Sequence, residues 1–183
     1  MDNLDLKPSH KPVAEYYRAL EQFRSIGVSH ESAVRSAFQN LLDACCRKFG
    51  WTLVAEWPIK RAKGHALRAD GALVDGFRLS HGLWEAKDAA DDLRKEVRKK
   101  LEAGYPAENI LFQAPERAIL FQNGREVLDQ DISVPENLVH TLKAFFEHQK
   151  PEYASWEDAV VNFGEESQAS SLVLANLQFS GMV

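Results

Sequence analysis

The sequence predicts an α/β fold, a central mixed sheet flanked by helices, and three observations carry that prediction. Apolar runs of strand length cluster between about residues 51 and 122, stretches of helical period precede and follow them, and a basic amphipathic stretch interrupts the cluster. The size fits one core: 183 residues, 45% hydrophobic and 27% charged. The sequence divides into a helical or extended lead-in at 1–28, a main domain at 29–164 and a tail at 165–183. No internal repeat is visible.

The first long helix is expected from His30 to Lys48, with Ser29 as its N-cap. Ala33, Val34, Ala37, Phe38, Leu41, Leu42 and Cys45 recur at helical spacing and form its buried stripe. Glu31 lies on nearly the same face in the first turn, where a carboxylate either complements the helix dipole or points toward the sheet in a supporting role. Trp51 to Trp57 reads as a strand that Pro58 ends or confines to an edge. A loop follows that carries Lys60, Arg61, Lys63, His65 and Arg68 and no acid, which makes it either a phosphate-binding surface or a solvated turn.

Two strands are expected around Asp70–Asp75 and Trp84–Lys87, joined by a turn near Ser80-His81-Gly82, with His81 a surface turn residue. A basic helix is then expected from Ala89 to Glu102, stopped by Gly104 and Pro106. Leu93, Val97 and Leu101 form its inner stripe, Arg94, Lys95, Arg98, Lys99 and Lys100 its cationic surface, and Asp91–Lys95 and Glu96–Lys100 its i,i+4 pairs. Strands follow at Asn109–Gln113 and Arg117–Gln122, the second closed by Asn123-Gly124. The last helices are expected at Pro135–His148 and Trp156–Phe163, with Ser155 and Asp158 capping the second.

Several function classes are excluded at this level. No apolar run approaches the roughly 18 residues of a membrane span, and the start Met1-Asp2-Asn3-Leu4-Asp5 lacks a secretory pattern. Cys45 and Cys46 are adjacent in a helix and cannot bridge each other there, which suits a reducing cytoplasm. The six histidines lack zinc-ligand spacing, and neither a phosphate-binding lysine loop nor a dinucleotide-binding glycine pattern is present. Trp51 and Trp84 read as core aromatics.

The chemistry is concentrated in Asp70-Gly71-Ala72-Leu73-Val74-Asp75 and Trp84-Glu85-Ala86-Lys87-Asp88. Residues two apart on a strand point to one face about 6.5–7 Å apart, so Glu85 and Lys87 project together. If Asp70 or Asp75 on the neighbouring strand joins them, two carboxylates can hold a hard divalent cation while the lysine orients water. Asp70 and Asp75 are five residues apart and cannot share a regular strand face, so only one of them is the principal partner.

Arg68-Ala69-Asp70 followed by Glu85-Ala86-Lys87 resembles the PD-(D/E)xK nuclease superfamily, with Ala69 in place of the proline. The longer run through Asp91-Asp92-Leu93, Gly104-Tyr105-Pro106, Asn109-Ile110-Leu111-Phe112, Phe121-Gln122-Asn123-Gly124 and Trp156-Glu157-Asp158 is similar to the N-terminal nuclease domain of type ISP single-chain restriction-modification enzymes. The resemblance covers most of residues 30–163. It implies a restriction-endonuclease-like fold and Mg2+-dependent cleavage of double-stranded DNA, with Mn2+ able to substitute. Asp70 and Glu85 would be the metal ligands, with the backbone carbonyl of Ala86 as the third protein oxygen. Lys87 would position the water, Glu31 and Asp75 would support, and Lys60, Arg61, Lys63, Arg68, Arg94 and Arg98 would meet DNA. Asp70 is preferred to Asp75 because it stands where the family's Pro-Asp stands. Helicase-like and methyltransferase modules would belong to a longer or separate chain, and the unmatched tail from Glu165 reads as a substitute end where a longer gene was cut short. Two other readings share the pattern: a non-catalytic nuclease-fold module for DNA binding or docking, and a repair or junction nuclease.

Overall fold

The computed structural model describes residues 3–27, 31–59, 66–88 and 92–148, with the side chains of 31–33 left out. The chain divides into two units, Met1–His148 and Gln149–Val183. The second, including the helix expected at Trp156–Phe163 and the tail, lies outside the described residues.

Among the described residues six strands form one sheet in chain order: β1 (Thr52–Ile59), β2 (Leu67–Val74), β3 (Ser80–Ala86), β4 (Asn109–Ala114), β5 (Arg117–Gln122) and β6 (Arg125–Asp131). All neighbours are antiparallel except β3 and β4, which are parallel. A parallel pair needs a crossover, supplied by α3 (Leu93–Glu102). The sheet is therefore mixed, as expected. Its two faces carry separate apolar clusters, because side chains alternate along each strand. Leu73, Trp84, Leu111 and Leu120 pack with α1 (Lys11–Ser25), α2 (Glu31–Cys46) and α4 (Pro135–Phe146). Ala72, Leu83, Ile110, Phe112 and Ile119 pack with Leu93 and Val97 of α3.

The lead-in is part of this core rather than an appendage: Leu4, Leu6, Val13, Tyr16 and Leu20 are buried in the first cluster. Tyr16 stands edge-on to Phe38, which stacks on Trp84. Cys45 and Cys46 are buried free thiols, and burial pushes both up to about 12. Among the described residues no helix is long and apolar enough to cross a membrane.

Three local expectations are corrected. Ser80, His81 and Gly82 lie inside β3, and the turn is at 75–79, where the Asp75 carboxylate accepts from the backbone N–H groups of Phe77 and Leu79, both at 2.9 Å. Position 82 is glycine because of packing rather than turn geometry, since a Cβ there would lie 2.6 Å from Phe145 Cε2 and 2.8 Å from Asn109 Nδ2. Helix α3 starts at Leu93, capped by Asp92, whose side chain accepts from Lys95 N–H. Strand β6 was not foreseen, since its polar sequence shows little alternation; the positive φ values of Asn123 and Gly124 form the tight turn that returns it onto β5.

Candidate active site

The site opens where β2 and β3 separate. Their last paired residues at this end are Gly71 and Trp84, and beyond them Asp70 and Glu85 face each other. Glu85 is 2% exposed; its Oε2 accepts from Asp70 N–H at 3.3 Å. Asp70 Oδ2 accepts from Ala86 N–H at 2.8 Å. The N–H and C=O of a strand residue point to the same side, so the Ala86 carbonyl also turns toward Asp70. Lys87 lies one residue past β3, its N–H donating to the Gln113 carbonyl at 2.7 Å. Its ammonium is 3.6 Å from Glu85 Oε1 with the side chain 13% exposed. The structure thus brings together Asp70, Glu85, Ala86 and Lys87.

Four residues that the sequence does not assign to the site complete the cluster. Lys100 of α3 donates to Glu85 Oε1 and, at 3.0 Å, to the Tyr105 hydroxyl. Tyr105 in turn donates to the Arg68 carbonyl at 2.6 Å. From the other face, Arg35 of α2 pairs with Asp70 Oδ1 at 3.1 Å and with Glu56 Oε1 at 2.7 Å. Glu56 lies on β1 between Ala55 and Trp57, which pair with Gly71 and Ala69 on either side of Asp70, and has a left-handed φ of 53°, uncommon for a residue with a Cβ. The expected Glu96–Lys100 pair is therefore replaced: Glu96 pairs with Lys99, and Lys100 turns inward. A sequence signal existed, because Lys100 follows Leu93 by seven residues and Val97 by three, which puts it on the buried stripe.

Burial raises the Glu85 carboxyl above the ordinary range, the Lys100 hydrogen bond opposes the rise and the Asp70 charge adds to it. Burial disfavours the Lys100 ammonium, but its hydrogen bonds to Glu85 and Tyr105 outweigh that and hold its pKa above the ordinary lysine value. The arrangement pairs three carboxylates, Asp70, Glu85 and Glu56, with three cations, Lys87, Lys100 and Arg35. Asp70, Glu85 and the Ala86 carbonyl are the oxygens able to hold a hard cation; among the described residues no cluster of three His, Cys, Asp or Glu side chains does so.

Asp75 is placed elsewhere. Besides its two backbone bonds it takes a 2.9 Å contact from His81 Nε2, and it lies at the opposite end of the hairpin. His81 is a strand residue stacked on Trp51 at 4.2 Å. Arg68 and Arg98 are exposed, whereas Arg94 is tied to Glu126 and Asp129 of β6. Lys60, Arg61, Lys63 and His65 lie outside the described residues, as does the Glu31 side chain.

No protein-family model matches the chain, and no curated protein matches it. A solved structure does: the cryo-EM structure of a DrdV–DNA complex aligns with 93% of this chain at 36% identity and a TM-score of 0.75. The fold is restriction-endonuclease-like. The aligned part makes up 17% of the DrdV chain.

Proposed function

We propose that this chain is a Mg2+-dependent DNA endonuclease domain of the PD-(D/E)xK type, the cleavage part of a cytoplasmic restriction-modification system. The observation that carries the reading is the convergence of Asp70, Glu85 and Lys87 in one pocket with the Ala86 carbonyl turned toward it. The similarity to a chain solved in complex with DNA supports it. In this reading the motor, modification and recognition modules reside on a longer or separate chain of the type ISP kind.

The donor set suits Mg2+: two carboxylates and a carbonyl are hard oxygen ligands, and that ion commonly keeps water in its remaining positions. When bound it would polarise the scissile phosphate and acidify the attacking water. Asp70 and Glu85 hold the site's negative charge in place, and burial of Glu85 keeps bulk water from screening it. Lys87 donates to the water or to the phosphoryl oxygen on which charge builds as the water oxygen bonds phosphorus and the P–O bond to the leaving group breaks. Exposed cations such as Arg68 and Arg98 contact phosphates without reading bases, so sequence preference belongs elsewhere.

The test is cleavage of supercoiled plasmid with Mg2+ or Mn2+, with the domain at high concentration or fused to its motor. Lys87→Ala is expected to reduce the rate by about 10²–10³ while leaving Mn2+ binding intact, the usual effect of removing one electrostatic donor. A Lys87→Ala variant that cuts as fast as the parent would leave the second reading, a DNA-binding or docking module. That reading is favoured by one observation: Lys87, Lys100 and Arg35 already balance the pocket's carboxylates.

A further inference from the structure

If the pocket takes a divalent cation, its own cations must yield. Among the described side chains Asp70, Glu85 and Glu56 are already paired with Lys87, Lys100 and Arg35, so an added divalent cation competes with these cations for the carboxylate oxygens. Either an internal cation withdraws or anions arrive. Of the three, Arg35 is braced between Glu56 and Asp70, and Lys87 approaches Glu85 only to 3.6 Å. Lys100 is the one bonded directly to the Glu85 carboxylate, at Oε1, the group a metal would share with Asp70. Its long flexible stem comes from a helix whose other cations, Lys95, Arg98 and Lys99, are exposed, so a short swing of Nζ keeps it on the surface facing an arriving polyanion. Tyr105 anchors Nζ in its present position. Its hydroxyl proton goes to the Arg68 carbonyl, so toward Lys100 it can only accept.

Resting on the nuclease reading above, we propose that Lys100 is the pocket's resident counterion, held on Glu85 until a divalent cation claims that carboxylate and then released to a DNA phosphate. Metal and DNA consequently bind cooperatively. Each raises the affinity of the other by the same factor, as linkage requires. Lys100 acts here as a positioning residue: it withholds Glu85 from metal in the absence of DNA and adds a phosphate contact in its presence.

The experiment is calorimetric titration of the full chain with MnCl2, alone and with a short phosphorothioate duplex that resists hydrolysis. The parent should gain about tenfold in Mn2+ affinity when the duplex is present, within the usual range of coupling between sites. Lys100→Met should bind Mn2+ about tenfold tighter than the parent without DNA and gain nothing from the duplex. Lys99→Met, which makes the same charge change on the exposed face, should match the parent. A folded Lys100→Met that binds Mn2+ no tighter than the parent, or that keeps the full duplex effect, overturns the proposal and leaves Lys100 as a structural ion pair. Should Lys100→Met fail to fold, Tyr105→Phe decides: it removes the lysine's second anchor and should shift Mn2+ affinity upward, and an unchanged or lower affinity is the overturning result. Failure of the underlying reading looks different. In that case the parent binds no Mn2+ with or without duplex, or Glu85→Gln leaves Mn2+ affinity unchanged.

Discussion

The two ends of the β2–β3 hairpin hold similar residues in opposite ways. At the turn end, Asp75 accepts from two backbone N–H groups and from His81. Nearby, Asn109 donates to the carbonyls of His81 and Phe145 and accepts from Gln122. Trp51, His81 and Phe146 stack alongside. At the open end, Asp70 and Glu85 each accept from one backbone N–H and are otherwise held by side-chain cations, Arg35 on Asp70 and Lys100 on Glu85, and the neighbouring Gln113 amide is buried with neither polar atom hydrogen-bonded. Acids satisfied by backbone donors are fixed in place and serve the fold. An acid held by lysines, as Glu85 is, keeps its charge available to a ligand, because a flexible cation can be exchanged.

The largest expected break in this comparison is between the two aspartates. Asp70→Asn should abolish Mn2+ binding and lower any cleavage by about 10² or more, whereas Asp75→Asn should leave both intact. Calorimetry and plasmid cleavage on the two variants check this, and the reversed pattern would move the site to the turn.

Next in size is Gly82→Ala, which forces a methyl against Phe145 and Asn109. Overpacking of this kind costs about 1–3 kcal/mol. Urea denaturation should show that loss, while Mn2+ affinity below the transition stays at the parent value.

The buried amides sharpen the contrast further. Asn109→Ala strands the partners it now satisfies and should cost about 1–3 kcal/mol, while Gln113→Met removes an unpartnered amide and should be neutral or slightly stabilising. Equal losses in denaturant melts would erase the difference between the two ends.

The smallest effect is in pH dependence. The His81 hydrogen bond, followed by those from backbone N–H groups, holds the Asp75 carboxyl below its usual range. A depressed carboxyl stabilises the folded state above the unfolded-state pKa and loses that contribution as pH falls through the folded value. The stability advantage of the parent over Asp75→Asn in urea melts should therefore persist at neutral pH and shrink in the acidic range.

Much of this was legible in the sequence. The helix stripe from Val34 to Cys45, the edge strand around Pro58 and the Asp70, Glu85, Lys87 spacing each follow from periodicity or side-chain alternation, and the structure places them accordingly. The choice of Asp70 over Asp75 came from the family resemblance, because five-residue separation alone could not say which acid would cap the turn. Ser80-His81-Gly82 looked like a turn because glycine usually marks one, yet tertiary crowding by Phe145 sets Gly82. Arg35, Glu56 and Lys100 were missed because their partners lie far away in sequence. A surface-helix pair such as Glu96–Lys100 is the natural local reading until a buried carboxylate competes for the lysine.

The single parallel step in the sheet also bears on the charge of the pocket. Hairpin formation alone brings Asp70 beside Glu85, a short-range closure that sets two like charges together. The α3 crossover, a longer closure, aligns β4 on β3 and places Lys100 on Glu85, with the Tyr105 hydroxyl accepting from Lys100. The crossover that sets the parallel register thus also supplies one of the pocket's cations, beside Lys87 after β3 and Arg35 of α2. Strand register and the charge beside Glu85 are therefore coupled through α3.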